Sequence, residues 1–419
     1  MTDPTTCEEG IELPKKSTAQ PLREFLIGDL FCGAGGIAEG FRQAGFRSTF
    51  GNDFDSAACR TFEQNFPYAS VYDRPIQELT ASEILTDIGL GEGDLDVLVG
   101  GPPCQGFSVN APVRSAEDDR NHLFKHYVRL VLEGLRPKMV VFENVPGLVS
   151  MGNTLHEVSE AFSNAGYRMK YKILNAAHYG VPQERWRLVI VGTRLDEIAF
   201  SFPEPKHYSE RRANFTGGKE FTFRSAIGAP TDAEAAAYWL EKPLTIREAI
   251  GDLPAVGNGG GAQEMPYGGI PVGHFQEYCR LGADDLLFNH QGSRMSPVNI
   301  ERFSHVPQGG SWRDIPFDLL PEGMKRARRS DHTRRYGRLD PESISGTVLT
   351  KCDPHWGTFV HYEQDRIITV REAARIQSFP DTFRFTGSVT EQYRQVGNAV
   401  PVLLARAIAN EVRAALESL

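Results

Sequence analysis

Phe25-Leu-Ile-Gly-Asp-Leu-Phe-Cys-Gly-Ala-Gly-Gly-Ile37 is the stretch that decides the fold. Its apolar half, Phe25 to Phe31, reads as a buried strand. Gly33, Gly35 and Gly36 then form a turn, and a helix pattern runs on through Phe41. A strand that breaks into glycines and restarts as a helix lets a ligand approach the backbone and the helix N-terminal amides. The spacing is not the Gly-x-Gly-x-x-Gly of dinucleotide sites, and a glycine turn by itself serves a cofactor or tight packing. Outward from this stretch the alternation continues. Phe46 to Gly51 reads as a strand, about Phe54 to Asn65 as a helix, and Met139 to Phe142 and Trp186 to Gly192 as strands. A one-faced helix from Asp119 is marked by Leu123, Tyr127, Leu130 and Val131. Such alternation predicts a parallel sheet with helices on both faces.

Gly100-Gly-Pro-Pro-Cys-Gln-Gly-Phe-Ser108 follows the apolar run Asp94-Leu-Asp-Val-Leu-Val99. The glycines and prolines hold Cys104 on a stiff loop at a strand's carboxyl end, the edge where open α/β sheets bind ligands. A thiol fixed there is placed as a nucleophile; the plainer reading is a small buried core cysteine. Glu143 ends the strand Val140 to Phe142 and belongs to the same edge. Half-buried beside a thiol, its carboxyl has a raised pKa and acts as an acid near neutrality; in solvent it is only a charged strand end. Gln183-Glu-Arg-Trp-Arg187 enters another strand, with Arg185 and Arg187 on one face by period two. Two guanidiniums facing one way suit a phosphate or a base oxygen, or form a surface pair. Asp53, about twenty residues past the glycine turn, either accepts from ribose hydroxyls or caps the next helix. A nucleoside cofactor without a pyrophosphate fits best, which points to S-adenosylmethionine.

The chain has 419 residues, enough for one large and one smaller domain, with ordinary apolar (40%) and charged (24%) fractions. It has no apolar run of membrane-spanning length and no signal pattern; the stretch before Pro21 reads as a loose polar tail. Cys7, Cys32, Cys59, Cys104, Cys279 and Cys352 form no Cys-x-x-Cys pair, which argues against a zinc site and a disulfide framework and for a reducing cytosol. A net charge of −9 argues against nonspecific nucleic-acid binding. Lys325, Arg326, Arg328, Arg329, Arg334, Arg335 and Arg338 nevertheless stand against a single acid, Asp331. That stripe grips phosphates or is a solvated loop. From Phe202 to about Asp340 periodicity is missing, and Pro, Gly and Arg are frequent, as in a second, loop-rich domain. Thr369 to Gln377 and Pro401 towards Leu419 read as helices.

From Arg23 to the C-terminus the chain resembles the bacterial cytosine-C5 DNA methyltransferases. The resemblance is carried by Asp29 to Phe41, Gly100 to Ser108, Phe142 to Val145, Gln183 to Arg187, Thr369 to Asp381 and Gln395-Val-Gly-Asn-Ala-Val-Pro401, in family order. It implies a Rossmann-like methyltransferase sheet with a smaller target-recognition domain. The expected segments are a tail over 1–22, a catalytic and cofactor domain over 23–200, a connector over 201–253, a recognition domain over 254–368, and C-terminal helices over 369–419, the last returning to the catalytic domain.

The resemblance also assigns roles. Cys104 is the nucleophile at C6 of a flipped cytosine, Glu143 the partner of N3 and the exocyclic amine, Arg187 the contact to O2, and Arg185 its support. The S-adenosylmethionine pocket comprises Phe31, Gly33, Gly35, Gly36, Asp53, Phe54, Asp73, Pro103, Leu123, Asn398 and Val400. Contacts to double-stranded DNA fall to Gln105, Ser108, Arg326, Arg328, Arg329, Arg334 and Arg335, and to the turn ending at Trp312. Two positions depart from pattern: Asp53 stands where many relatives have Glu, and Asp73-Arg-Pro-Ile76 interrupts the pair that holds the adenine amine. The implied protein is a cytoplasmic, nucleoid-associated monomer without metal or membrane association, with a cognate restriction endonuclease by family habit. The competing readings are a transfer-RNA methyltransferase of the same fold, a DNA-binding regulator without catalysis, and a thiol hydrolase pairing a cysteine with His178. Gly106 after Gln105 and Arg280-Leu281 after Cys279 speak against the first. The presence of Cys104, Glu143 and Arg187 speaks against the second. The glycine turn with Asp53 speaks against the third.

Overall fold

The computed structural model describes residues 24–102, 123–150, 154–209 and 240–419. Pro103, Cys104, Gln105, Ser108 and the tail over 1–22 therefore lie outside the described residues. Among the described residues seven strands make the central sheet: β1 (Phe25–Leu30), β2 (Phe46–Asp53), β3 (Ser70–Asp73), β4 (Val97–Gly100), β5 (Met139–Asn144), β6 (Arg168–Asn175) and β7 (Trp186–Thr193). Their order across the sheet is β3-β2-β1-β4-β5-β7-β6. β1, β2, β3, β4 and β5 pair in parallel, whereas β7 runs antiparallel to both β5 and β6. The sheet is thus mostly parallel, and the expectation of a parallel sheet is corrected at β7. The physical reason is the connection: β6 ends at Asn175 and β7 starts at Trp186. That link is too short for the dozen or more residues of a parallel crossover.

The first helix, α1 (Gly36–Gln43), starts directly from the glycine turn, and α2 (Ser56–Asn65) is capped by Asp55, which accepts from the Ala57 amide at 3.1 Å. Asp53 is therefore not the cap of α2. On one face of the sheet, Phe25, Ile27, Val97, Val99 and Val141 pack with α1 and with the C-terminal helix Val402–Glu417. These two helices meet closely because Gly40 has no side chain: a Cβ there would lie 2.4 Å from that of Ala405. On the other face Leu30, Leu98, Val140 and Phe142 pack beneath the helices α3 (Ala81–Ile88), α4 (Leu123–Leu130) and α5 (Thr154–Asn164). There Tyr127, Phe142 and Phe162 make mutual edge-to-face contacts.

The middle of the chain builds short elements. These include the antiparallel pair β8 (Gly261–Pro266) and β9 (Leu286–Gln291), the short parallel pair β10 (Gly337–Arg338) and β11 (Thr358–Val360), and helices of eight residues or fewer. Its apolar side chains, among them Phe275, Phe303, Trp312 and Tyr336, continue the core that begins on the α1 face. Trp312 is 3% exposed, so its side chain belongs to the core, and it is the turn before it, at Gln308 and Gly309, that is exposed. The final helices after the middle region are Val370–Ile376, Val389–Asn398 and Val402–Glu417. The first two begin with capping boxes, Thr369 with Glu372 and Ser388 with Glu391. Arg375, fully buried in the first of them, bridges Asp252 and Asp381 and so ties the middle region to the C-terminal helices. Among the described residues no helix is long and apolar enough to cross a membrane.

Candidate active site

The strand order changes direction between β1 and β4, and in a doubly wound sheet the crevice above such a point receives the ligand. A cavity of about 1590 Å³ opens there. β1 ends in the turn at Phe31 to Gly36, where Gly33 is left-handed (φ +52°) and donates its amide to Asp53 Oδ2 at 2.9 Å. The other oxygen of Asp53 accepts from the Asp55 amide at 2.9 Å, so this carboxylate fixes the turn while lining the cavity. Burial raises its pKa, against those amide bonds. Phe54, 70% exposed, projects into the same space, which Gly33, Gly36 and Leu123 also line. Asn398 and Val400 close it from the C-terminal side. They come so near the turn that a Cβ on Gly36 would sit 2.6 Å from the Val400 carbonyl oxygen.

Not every expected cofactor residue arrives. Asp73 is not on the cavity wall itself; its exposed side chain accepts from Ser56 Oγ at 3.0 Å, and Ser56 lines the cavity. Gly35 is not on the wall either. A side chain there would run into the rings of Phe62 and Phe66, so its role is to let α2 pack against the turn.

At the carboxyl end of β5, Glu143 meets Arg187 from β7, with Nε 2.6 Å from Oε1. Each keeps only about a seventh of its surface open, 15% for Glu143 and 13% for Arg187. Burial raises the Glu143 pKa, opposed by Arg187 and then Arg185; burial also lowers that of Arg187, opposed by Glu143. The carboxyl is thus poised to hold a proton more readily than an ordinary glutamate. The strand leading towards Cys104 comes directly alongside. A Cβ on Gly101 would lie 2.9 Å from Glu143 Oε2, and Asn144 Nδ2 donates to the Pro102 carbonyl at 3.1 Å. The second glycine of Gly100-Gly101 therefore leaves room for the Glu143 carboxylate, which a side chain there would push aside.

Arg185 is neither a surface residue nor free to hold a phosphate. Its Nη1 donates to the Val348 carbonyl at 3.0 Å and its Nη2 to that of Gly397 at 2.8 Å, so it ties the wall of the cleft to the segment carrying Asn398. Gln183 reinforces the junction, accepting from the Val348 amide at 2.8 Å and donating to Gln377 Oε1 at 2.7 Å. Gln377 in turn donates to the Val396 carbonyl at 2.7 Å. Sequence reasoning did not assign Gln183, Gln377 or Asn144 a role. All three stand inside the family-like motifs, which was the available signal.

Of the arginines expected at DNA, Arg334 is exposed and lines the cavity. Arg326, Arg328 and Arg329 are exposed but off its wall, and Arg335 is half-buried with Nη1 3.5 Å from Met324 Sδ. Arg338, counted with the basic stripe, is buried and donates to the carbonyls of Phe303, Val306 and His361. It is structural. His178 is buried and off the cavity wall, where a substrate in the cleft does not reach it, and this burial lowers its pKa to about 4. The cysteines Cys32, Cys59, Cys279 and Cys352 are buried and unpaired. Among the described residues no group of His, Cys, Asp and Glu is arranged to hold a metal.

A mostly parallel sheet with a glycine turn, a cavity at its switch point and a buried carboxylate–guanidinium pair is the architecture of an α/β enzyme with its cleft at the carboxyl edge of the sheet. The model of the family C-5 cytosine-specific DNA methylase matches residues 25–414, and the chain belongs to that family. It is a DNA (cytosine-5)-methyltransferase. The Type II methyltransferase M.AgeI of Thalassovita gelatinovora is 33% identical, with 93% of this chain and 99% of that one aligned. M1.HphI of Haemophilus parahaemolyticus is 36% identical, over 92% of this chain and 85% of that one. Among solved structures, an E. coli prophage protein described as a candidate DNA modification methyltransferase shares the fold. Its TM-score is 0.68 at 24% identity, over 94% of this chain and all of that one.

Proposed function

We propose that this enzyme methylates C5 of a cytosine flipped out of a specific double-stranded DNA sequence, through a covalent bond from Cys104 to C6. The reading rests above all on the Glu143–Arg187 pair, buried in the cleft beside the strand that runs into Cys104. The residues around the glycine turn suit S-adenosylmethionine. Gly33 leaves its wall open, with nothing within 4 Å of where a Cβ would stand, Asp53 offers carboxylate oxygens to ribose hydroxyls, and exposed Phe54 offers a ring face to the adenine. Phe31, Gly36, Leu123, Asn398 and Val400 complete that pocket, and bound there the cofactor would supply an electrophilic methyl group to C5.

The chain's own residues do the rest. The Cys104 thiolate adds to C6, and the ring's electron pair moves so that C5 becomes nucleophilic. Glu143, carrying its proton at the raised pKa that burial gives it, donates to N3 and accepts from the exocyclic amine, which favours the addition. Arg187, braced by Glu143, holds the O2 edge, and Arg185 keeps the wall at Val348 and Gly397 in register. After the transfer a water molecule in the cleft takes the C5 proton, the C5–H electron pair restores the C5–C6 double bond, the C6–S bond breaks to release the Cys104 thiolate, and N3 returns its proton to Glu143. Extruding the cytosine costs a few kcal/mol, supplied by contacts between the cleft and the strand.

Relatives named as Type II methyltransferases support a restriction-modification role; in that role the enzyme is proposed to act as a cytoplasmic monomer beside a cognate endonuclease. Base-resolved sequencing of plasmid DNA from a methylation-free host expressing the chain is the test. The expected result is 5-methylcytosine in one short motif, absent with Cys104→Ser, while that variant still binds S-adenosylmethionine. Full methylation by Cys104→Ser would end the covalent mechanism.

A further inference from the structure

Two large exposed aromatic side chains line the cleft among the described residues, Phe54 and Trp356. The first is absorbed by the cofactor pocket; the second is not used by anything described so far. We infer that Trp356 is a stacking residue for the substrate, its indole lying against a base of the DNA held in the cleft. This deepens the reading of the cleft as the DNA site and rests on it.

Leaving an indole 63% exposed forgoes the burial of one of the largest apolar surfaces a protein has, so its stem should wander unless something fixes it. Here the stem is fixed. Asp353 Oδ1 accepts from the His355 amide at 2.8 Å and meets its Nδ1 at 2.6 Å, and His355 Nε2 lies 2.8 Å from the Tyr336 hydroxyl. The Trp356 amide closes the turn on the Asp353 carbonyl at 3.0 Å, and the Tyr336 amide grips the Pro354 carbonyl at 2.6 Å. The next residue, Gly357, is buried, with no room for a side chain beside the Phe359 ring. The turn is thus held by hydrogen bonds at its base, and its tip is a largely exposed tryptophan.

The surroundings identify the partner. The same wall carries Lys351 and Arg334, both exposed, and it faces the cavity that holds Glu143 and Arg187. An exposed ring in a cleft that also presents cations is the combination by which proteins hold nucleic-acid strands, with stacking on the base face and charge on the phosphates. A protein partner would have to enter the catalytic cleft to reach this ring.

The test uses the full chain and a duplex containing the motif that sequencing defines. The emission of the wild type minus that of Trp356→Phe isolates Trp356 from Trp186, Trp239 and Trp312. Adding the duplex should quench this emission and protect it from acrylamide. Trp356→Ala should raise the KM for DNA about tenfold or more without changing the KM for S-adenosylmethionine, and Trp356→Phe should recover most of the loss. Thermal melts of both variants should match the wild type, because the ring packs against little. If the wild type methylates DNA while the Trp356 emission ignores the duplex and Trp356→Ala keeps its KM, the inference is wrong and the active-site reading stands. If the wild type methylates no DNA, both fall together.

Discussion

Gly36→Ala probes the junction on which the cofactor pocket depends. The added Cβ would stand 2.6 Å from the Val400 carbonyl oxygen and 3.1 Å from the Ala399 Cβ, and Phe379 lies only 3.4 Å away. Ordinary contact begins near 3.4 Å, so backbone must move by roughly 0.8 Å, and no flexible side chain is there to yield. The direction with freedom is outward for 398–400, because α1 is pinned by the C-terminal helix through Gly40. Overpacking of this kind costs about 1–3 kcal/mol. A ligand that needs Asn398 and Val400 in place must restore the clash, so about 2 kcal/mol passes into its binding, roughly a 30-fold loss of affinity. Isothermal titration of S-adenosylmethionine reads this without any turnover. Gly33→Ala is the matched control of opposite character. Its Cβ meets nothing within 4 Å, so apart from the left-handed strain of about 1–2 kcal/mol it fills only space that belongs to the ligand. Both variants should bind poorly, but Gly36→Ala should also disturb the 398–400 segment in hydrogen exchange before ligand is added. Wild-type affinity in Gly36→Ala would refute the placement of the pocket between turn and C-terminal segment.

Two further outcomes follow from the buried charges. Arg187→Met removes the chief influence that lowers the Glu143 pKa against burial, so the carboxyl should hold its proton to still higher pH. Methyl-transfer rates across pH should show the Glu143 limb displaced upward and kcat down about 100-fold, in the lower range for loss of an acid–base partner; a profile superimposed on the wild type would remove Glu143 from the chemistry. Arg375→Met leaves Asp252 and Asp381 buried with only their remaining partners, Arg280 for the first, Tyr267 and Arg371 for the second, and should destabilise by about 3–5 kcal/mol in urea unfolding at neutral pH. For Asp381, burial acts upward, but Arg375 together with Arg371 and the Tyr267 hydroxyl outweighs it and holds the pKa below the ordinary range. The stability it contributes is therefore complete above the unfolded-state value of about 3.9 and is lost as pH falls through the lower folded value, so the gap between variant and wild type should narrow only in acid. A gap independent of pH down to complete protonation would show that the pair contributes through packing alone.

Local pattern carried much of this protein. The run from Phe25 to Ile37, the strands ending at Val99 and Phe142, and the capped helix after Thr369 are all legible because each is a continuous element whose period or punctuation is written in neighbouring residues. β6 was not legible. As an edge strand with one hydrogen-bonded neighbour it keeps Arg168 and Lys170 exposed and lacks an apolar run. The middle region hid its elements because they are short, and its core residues, Trp312 among them, are buried by partners far away in sequence.

The motifs in the sequence were enough to identify the class of fold and the family, since their spacing fixes which backbone turns occur together and in what order. Only the tertiary structure decided what each charge does. Arg334, Arg338, Arg185 and Arg187 look alike in the sequence. One lines the cleft, one satisfies buried carbonyls, one ties Val348 to Gly397, and one braces Glu143. A guanidinium's role is set by the partners within hydrogen-bonding distance and by the water excluded around it, and both are brought by segments as far apart as Glu143 and Gly397.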